Sequence, residues 1–137
     1  MSNCCSPSHE RKQLSVHSCF ERGRTTRGLP PLAIAGERVT TSYGLWAAFS
    51  LRLEADSLCE IRFTASTCTT LIAYCQALVE LIQGRRRDEA RESGSRFLID
   101  RLPGVPMAKH DRATLAAAAF QAALAATNKP PETGETK

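Results

Sequence analysis

The most regular hydrophobic pattern in the chain is a pair of strand-like segments followed directly by a helix-like one. Apolar and polar residues alternate over residues 45–54 and 58–65, as they do in strands with one buried face. The three residues between these segments predict a tight turn, and therefore an antiparallel hairpin. Apolar residues then recur at helical spacing over residues 71–82, with Thr67 or Thr69 as the N-cap. A hairpin is unstable alone, so we expect this helix to cover its apolar face.

Shorter elements account for the other segments. The pattern predicts a short helix over residues 14–22 and a mostly irregular segment, broken by glycine and proline, over residues 21–44. Two short helices and a rigid proline loop follow the central helix. Asp111 then predicts the N-cap of an alanine-rich helix over residues 112–127, whose small side chains permit close packing.

These elements predict one domain of the α+β class, a small antiparallel sheet packed against helices. The domain extends over residues 14–127, between polar tails at residues 1–13 and 128–137 that we expect to be disordered. The composition, 42% hydrophobic and 23% charged residues, is typical of a globular protein. A chain of 137 residues is also long enough to form a core without metal or disulfide bonds.

Composition also limits the compartment and the partners. No apolar run approaches membrane-spanning length, and the N-terminus lacks the basic-then-apolar order of a secretion signal, so we expect a cytoplasmic protein. The six cysteines are then reduced thiols or metal ligands rather than a disulfide framework. The net charge of +4 permits contact with an acidic partner but does not require nucleic acid.

Cys68 is the residue with the most distinctive local environment, because it lies where a strand changes to a helix. A thiolate there lies near the unpaired N–H groups and positive dipole end of the helix, which favours a nucleophile or a metal ligand. The alternative is a small buried apolar residue, which is common for a free cysteine. Cys75 and Cys59 follow the apolar pattern of their segments, and we expect both in the core.

Two other arrangements of reactive residues carry weaker predictions. Adjacent cysteines at positions 4 and 5, with His9, His17 and Cys19, suggest zinc, but their spacing matches no common zinc-finger pattern. A flexible tail is the alternative. Cys68 with His110 is the one possible catalytic dyad, and a reduced metal pocket explains it more economically. We therefore do not expect an enzyme.

The order of elements resembles a known family. The hairpin, the cysteine at its junction with a glycine-terminated helix, the charged short helix, the proline loop and the small-residue last helix resemble the IscU / NifU N-terminal family of iron–sulfur cluster assembly scaffolds. The similarity covers roughly residues 14–127. The matching segments are residues 61–63, Cys68, residues 81–84, 88–90 and 102–105, and Lys109 with Leu115 and Ala116.

The resemblance implies a position for each ligand of the cluster. Three cysteines hold the cluster in this family, assisted by an aspartate and a histidine. Cys68 stands at the position of the middle cysteine. Counting back through the hairpin without gaps places Ser42 at the first cysteine and Gly44 at the aspartate. Matching the last helix places Asp111 at the histidine and Arg112 at the last cysteine.

The implied set of ligands is therefore depleted, since serine and arginine do not replace thiolates on a cluster. The alignment needs two extra residues after Val105, which leaves His110 as an alternative match to the family's histidine. Cys68, Asp111 and His110 are then the predicted ligands of a single Zn²⁺ or Fe²⁺, with water completing the site. We expect no stable [2Fe–2S] cluster; a labile cluster and no bound metal remain as alternatives.

Three functions follow from these observations. The resemblance implies an iron–sulfur cluster assembly scaffold that binds iron or a labile cluster, receives sulfur from a cysteine desulfurase and docks a chaperone at the proline loop. A regulator of the same fold that carries no cluster is the second. The third is a small basic protein that binds nucleic acid through residues 85–87 and the early arginines. We rank it last, because few aromatic residues are available to stack on bases.

Overall fold

Residues 14–127 form a sheet covered by helices in the computed structural model, which describes this part of the chain. The predictions for residues 1–13 and 128–137 lie outside the described residues. The elements are α1 (Val16–Thr26), β1 (Ile34–Ala35), β2 (Val39–Thr40), β3 (Trp46–Glu54), β4 (Ser57–Ala65), α2 (Thr69–Ile82), α3 (Arg87–Ala90), α4 (Ser95–Arg101), a 3₁₀ turn (Met107–Lys109) and α5 (Asp111–Ala126). The predicted α+β class is confirmed.

The predicted hairpin forms the centre of the sheet. β3 pairs with β4 in antiparallel register, and Phe49 lies opposite Phe63. The hairpin turn is Ala55-Asp56, with φ angles of 52° and 70°, as a two-residue type I′ turn requires. Because β4 occupies one edge of β3, the short strands β1 and β2 share the other edge, and both are antiparallel to β3. The sheet is therefore three strands wide, with β1 and β2 as two short pieces along the same edge of β3.

Helix α2 is the central helix and is buried on nearly all sides. It packs on β4, on α5 and on α1, which covers the face of α2 farthest from the sheet. Gly23 of α1 permits this contact, since a Cβ atom there would lie 2.8 Å from Ile72 Cγ2. Thr26 Oγ1 donates a hydrogen bond to Gln76 Oε1 (2.7 Å) on the same interface.

The alanine-rich helix α5 crosses the sheet at close range, as its composition predicts. Phe120 packs edge-on against Phe49, with ring centroids 5.5 Å apart. Near the other end, the backbone of α5 at Ala122 and Ala123 lies against Gly36, where a Cβ atom would lie 2.5 Å from Ala123 N. Close packing of small residues thus fixes where α5 lies, and with it the position of the residues at its N-terminus.

Several sequence predictions about local structure were wrong. Helix α1 extends to Thr26 rather than ending at residue 22, because Gly23 and Thr26 contact α2. The segment predicted to be irregular also contains β1 and β2. Cys59 is half-buried rather than in the core, because a β-bulge near Leu53 shifts the alternation of β4 by one residue.

The N-caps of both long helices also lie one residue away from the predicted positions. Cys68, not Thr67 or Thr69, is the N-cap of α2, and its side chain makes no capping hydrogen bond. His110 rather than Asp111 is the N-cap of α5, which begins at Asp111. The 3₁₀ turn that precedes α5 sets this start, since its last hydrogen bond runs from His110 N to Met107 O.

None of the helices between residues 14 and 127 combines the length and the apolar character that a membrane span needs.

Candidate functional site

Three separate parts of the chain meet at Cys68. They are the turn that leads into β3, the junction between β4 and α2, and the first residues of α5. The Tyr43 hydroxyl donates a hydrogen bond to the Asp111 carboxylate. The Arg112 guanidinium lies over the Tyr43 ring, 5.8 Å from its centroid, and donates a hydrogen bond to Asp111 Oδ1 (2.7 Å). A polar chain therefore runs from Tyr43 through Asp111 to Arg112, and Cys68 acts on the charge of that guanidinium by raising its pKa.

Cys68 is positioned by the segment on both sides of it. Its backbone is extended, with φ −152° and ψ 116°, and its carbonyl accepts the first hydrogen bond of α2, from Ile72 N (2.9 Å). On the other side, the Arg27 guanidinium donates to Ala65 O (3.1 Å) and to Thr67 Oγ1 (3.4 Å). The half-buried thiol therefore lies at the N-terminus of a 14-residue helix on a restrained backbone.

Arg112 supplies the positive charge of the site. Its hydrogen bond to Asp111, and next its interaction with Cys68, raise the pKa of the Arg112 guanidinium, while desolvation opposes this shift. The guanidinium therefore stays charged. Its Nε atom is buried and has no hydrogen-bond partner within residues 14–127. The side chain thus bonds the Asp111 carboxylate and retains one donor without a partner in this part of the chain.

His110 points to a different partner. Its Nε2 atom lies 3.1 Å from Val105 O in the proline loop. Because a carbonyl oxygen can only accept, this ring nitrogen carries the hydrogen. The imidazole thereby joins the proline loop to the start of α5. No hydrogen bond among the described residues directs the imidazole at Cys68.

The predicted metal ligands have other hydrogen-bond partners in this structure. Among residues 14–127, no three His, Cys, Asp or Glu side chains are grouped so that they could hold a metal ion. The Asp111 carboxylate accepts from Arg112 and Tyr43, and His110 Nε2 donates to the proline loop. The assignment of Cys68, Asp111 and His110 as ligands stays a prediction.

The other positions implied by the family resemblance lie in the turn before β3. Ser42 and Gly44 are both exposed, and Gly44 has the positive φ angle (97°) that favours glycine. Thr41 closes this turn, since Leu45 N donates to its Oγ1 (3.0 Å). The turn therefore contributes the Tyr43 hydroxyl to the site, and its residues include no cysteine, aspartate or glutamate.

The other cysteines of the described part of the chain have different surroundings. Cys75 is fully buried, and its burial, followed by the nearby Cys68, raises the pKa of its thiol strongly, so that it stays neutral. Cys19 is fully buried on α1. The Cys59 thiol donates to Arg52 O (3.2 Å) at the bulge. Cysteines 4 and 5 and His9, the core of the zinc alternative, lie outside the described residues.

Two residues of the site were missed from the sequence. Tyr43 was not considered, although it lies between the two turn positions that the resemblance singled out. Arg112 was noted only as a lost cysteine, not as a partner of Cys68. The sequence did carry a signal for Arg112, since it stands where the resemblance places a cysteine. A positive side chain at that position can offset the negative charge of the remaining thiolate.

Comparisons with known proteins agree with the resemblance. Residues 26–132 match the family described as NifU-like N terminal domain. Two relatives, each named Nitrogen fixation protein NifU, come from Nostoc sp. strain PCC 7120 and Trichormus azollae. Each is 34% identical over 74 residues, which cover 54% of this chain and 25% of the relative. The match thus spans about a quarter of the length of these curated relatives.

A solved structure supports the fold. It comes from Fervidobacterium islandicum AW-1 and belongs to a protein proposed to be an iron–sulfur cluster assembly scaffold for the SUF system. The two structures superpose with a TM-score of 0.63 and cover 85% of this chain and 98% of the other. Their sequence identity is 14%, so this likeness concerns the fold alone.

Proposed function

The chain belongs to the NifU-like N-terminal domain family, and on this basis we propose that it serves as a scaffold-type protein in iron–sulfur cluster assembly, with Cys68 as the residue that receives cargo. One observation carries the proposal. The turn before β3 and the start of α5, which the resemblance implies as ligand-bearing segments, are joined by the Tyr43–Asp111 hydrogen bond, and Cys68 raises the pKa of Arg112 in the same region.

The environment of Cys68 suits a thiolate that accepts sulfur. The N-terminus of α2 and the Arg112 guanidinium both stabilise negative charge at the sulfur atom. In the transfer we propose, the thiolate attacks the terminal sulfur of a persulfide on a donor protein. The donor's S–S bond breaks, a new S–S bond forms on Cys68, and the donor leaves as a thiolate.

Iron is also cargo in this proposal, and the side chains limit how it is held. A [2Fe–2S] cluster normally needs four ligands, usually thiolates, and the described residues at this site offer one. The site therefore does not fit a stable cluster. A single Fe²⁺ or Zn²⁺ on Cys68, Asp111 and His110 would compete with Arg112 and Tyr43 for the Asp111 carboxylate, whereas His110 could bind through Nδ1 and keep its Nε2 hydrogen bond to Val105 O. We propose at most one labile metal ion per chain.

The partners we propose are a cysteine desulfurase, as the sulfur donor, and a chaperone that recognises the proline loop. Exposure of the segment after Leu102 supports the second contact. Leu102 is buried and anchors the loop, whereas Met107 is 83% exposed. The loop is thus fixed at its start and accessible at its end. The cysteine pattern of the sequence supports a cytoplasmic setting for this role.

A second candidate function is a regulator that docks the same partners and carries no iron. Arg112 favours it, because the guanidinium at the position that the resemblance assigns to the last cysteine stays charged and has no lone pair for a metal ion.

Sulfur transfer tests the proposed function. A cysteine desulfurase from the same organism, loaded with persulfide from cysteine, would be mixed anaerobically with the full chain. Mass spectrometry of the digested product should find one added sulfur atom on Cys68. Cys68→Ala should abolish this product, whereas Cys75→Ala should retain it. Sulfur that appears on Cys59 alone, or on none of the cysteines, would contradict the assignment.

A further inference from the structure

Arg27 holds the short connection between β4 and α2, residues 66–68, in which Cys68 lies. Its Nη1 atom donates a hydrogen bond to Ala65 O (3.1 Å), and its Nη2 atom donates one to Thr67 Oγ1 (3.4 Å). Ala65 is the last residue of β4, and Thr67 immediately precedes Cys68, the N-cap of α2. One guanidinium therefore joins the end of the strand to the residue before the thiol.

Arg27 itself stands on a fixed support. It is the C-cap of α1, and its backbone N–H donates to Gly23 O (2.9 Å). Gly23 packs directly against Ile72 of α2, and the Thr26 hydroxyl donates to Gln76 Oε1 (2.7 Å). The guanidinium is thus placed by the contact between α1 and α2, and not by the connection that it holds.

Other hydrogen bonds fix the two neighbours of Thr67 but not its side chain. Ser66 N donates to the carbonyl of the first residue of β3 (3.0 Å), and the Cys68 carbonyl accepts the first hydrogen bond of α2 (2.9 Å). Within residues 14–127, the bond from Arg27 is the one that the Thr67 side chain makes. The Cys68 side chain makes no capping hydrogen bond, so the backbone of the connection sets where the sulfur lies.

Sulfur transfer depends on that position. In the proposed transfer the Cys68 thiolate attacks the terminal sulfur of the donor's persulfide, and the donor's S–S bond breaks as the new one forms. Reacting atoms must be held about 3–3.5 Å apart and aligned, and a misplacement of about 1 Å can lower a rate about 100-fold. A cysteine on an irregular connection meets this requirement only where the connection is held in place.

We infer that Arg27 is a positioning residue for Cys68: its two hydrogen bonds hold the connection so that the thiol meets the persulfide of a sulfur donor in a productive direction. This inference rests on the proposed function, in which Cys68 receives sulfur. A guanidinium donates to two acceptors at a fixed spacing, whereas a lysine ammonium is a compact point charge. Lysine at this position should therefore keep the charge and lose the positioning.

Single-turnover sulfur transfer tests this inference. A cysteine desulfurase from the same organism, loaded with persulfide, would be mixed anaerobically at increasing concentrations with wild type, Arg27→Lys and Thr67→Val. The transfer rate at saturating donor should fall roughly tenfold in Arg27→Lys. It should fall about threefold in Thr67→Val, which removes one acceptor and no charge. The donor concentration that gives half the maximal rate should stay unchanged in both variants.

Alkylation of Cys68 by iodoacetamide separates positioning from a loss of structure or charge. This small reagent reaches an accessible thiolate from many directions, so its rate and its pH dependence should match wild type in Arg27→Lys and Thr67→Val. Transfer that slows only in step with alkylation would overturn the inference. Wild-type transfer rates in both variants would overturn it as well.

Arg24→Lys is the matched control. Arg24 lies on α1 three residues before Arg27, its side chain is 61% exposed and it pairs with Glu21, so this variant should transfer sulfur as wild type does. Thr67 is exposed, and Thr67→Val therefore keeps the test decisive if Arg27→Lys does not fold. Wild type that takes up no sulfur on Cys68 would overturn the proposed function, whereas normal transfer by wild type and by the variants overturns this inference alone.

Discussion

Gly36→Ala tests whether α5 is seated on the sheet by close backbone packing. The new Cβ atom would lie 2.5 Å from Ala123 N, 2.6 Å from Ala123 Cα and 2.9 Å from the carbonyl carbon of Ala122. Carbon atoms in contact are normally about 3.5–4.0 Å apart, so α5 would have to move away by roughly 1 Å. No side-chain rotation can relieve this clash, because all three atoms belong to the helix backbone.

The expected cost follows from two opposing effects. Overpacking of this kind typically costs about 1–3 kcal/mol. Replacing glycine by alanine also reduces the entropy of the unfolded chain, which returns about 0.4–1 kcal/mol. We therefore expect the free energy of unfolding to fall by about 1–2 kcal/mol. With a urea dependence of about 1.5 kcal/mol per M, the unfolding midpoint should fall by about 1 M.

Urea unfolding followed by circular dichroism measures this shift, and Gly28→Ala is the matched control. A Cβ atom at Gly28 would meet only Thr25 O, at 3.8 Å, so this variant should keep or slightly raise the midpoint. Adding Ala123→Gly to Gly36→Ala should give no rescue, because the clash is not with the Ala123 side chain. A Gly36→Ala midpoint equal to that of Gly28→Ala would refute the packing argument.

Three further predictions concern stability, pH and the ligand set. Leu78→Asp should unfold the domain, because Leu78 is fully buried. Arg86→Ala, at a side chain that is 57% exposed, should change the free energy of unfolding by no more than about 0.5 kcal/mol. Similar urea midpoints for the two variants would show that the buried face of α2 is assigned wrongly. Burial raises the pKa of the Cys75 thiol above its ordinary value of about 9. Above about pH 9 the unfolded chain therefore loses a proton that the folded chain keeps, and the free energy of unfolding should fall by up to about 1.4 kcal/mol per pH unit. The fall should be less steep in Cys75→Ala. Ser42→Cys combined with Arg112→Cys should increase the iron and sulfide retained after anaerobic reconstitution; no increase would argue against the positions that the resemblance assigned.

The sequence predicted the hairpin and α2 because their patterns are set by local periodicity. The strands predicted at residues 45–54 and 58–65 are found at Trp46–Glu54 and Ser57–Ala65, and α2 begins two residues before the predicted start. The misses have tertiary causes. Gly23 normally weakens a helix, but here its contact with Ile72 keeps α1 helical through it.

The candidate site was predictable only in part, for a similar reason. Cys68 could be singled out because the hydrophobic pattern changes from strand to helix periodicity in the residues on either side of it. The contact between Tyr43 and Asp111 joins residues 68 positions apart, and it depends on where α5 crosses the sheet. No local pattern encodes that crossing. The surroundings of Arg112 were therefore visible only in the structure.

Anaerobic reconstitution of the full chain with iron and sulfide tests the central proposal most directly. We propose that the site offers one thiolate, Cys68, and does not fit a stable cluster. Iron and acid-labile sulfide would be counted per chain after gel filtration, and the visible spectrum recorded. We predict at most one labile iron per chain, no stoichiometric sulfide and no cluster absorbance. Stoichiometric sulfide with cluster absorbance that is lost in Cys68→Ala would contradict the account.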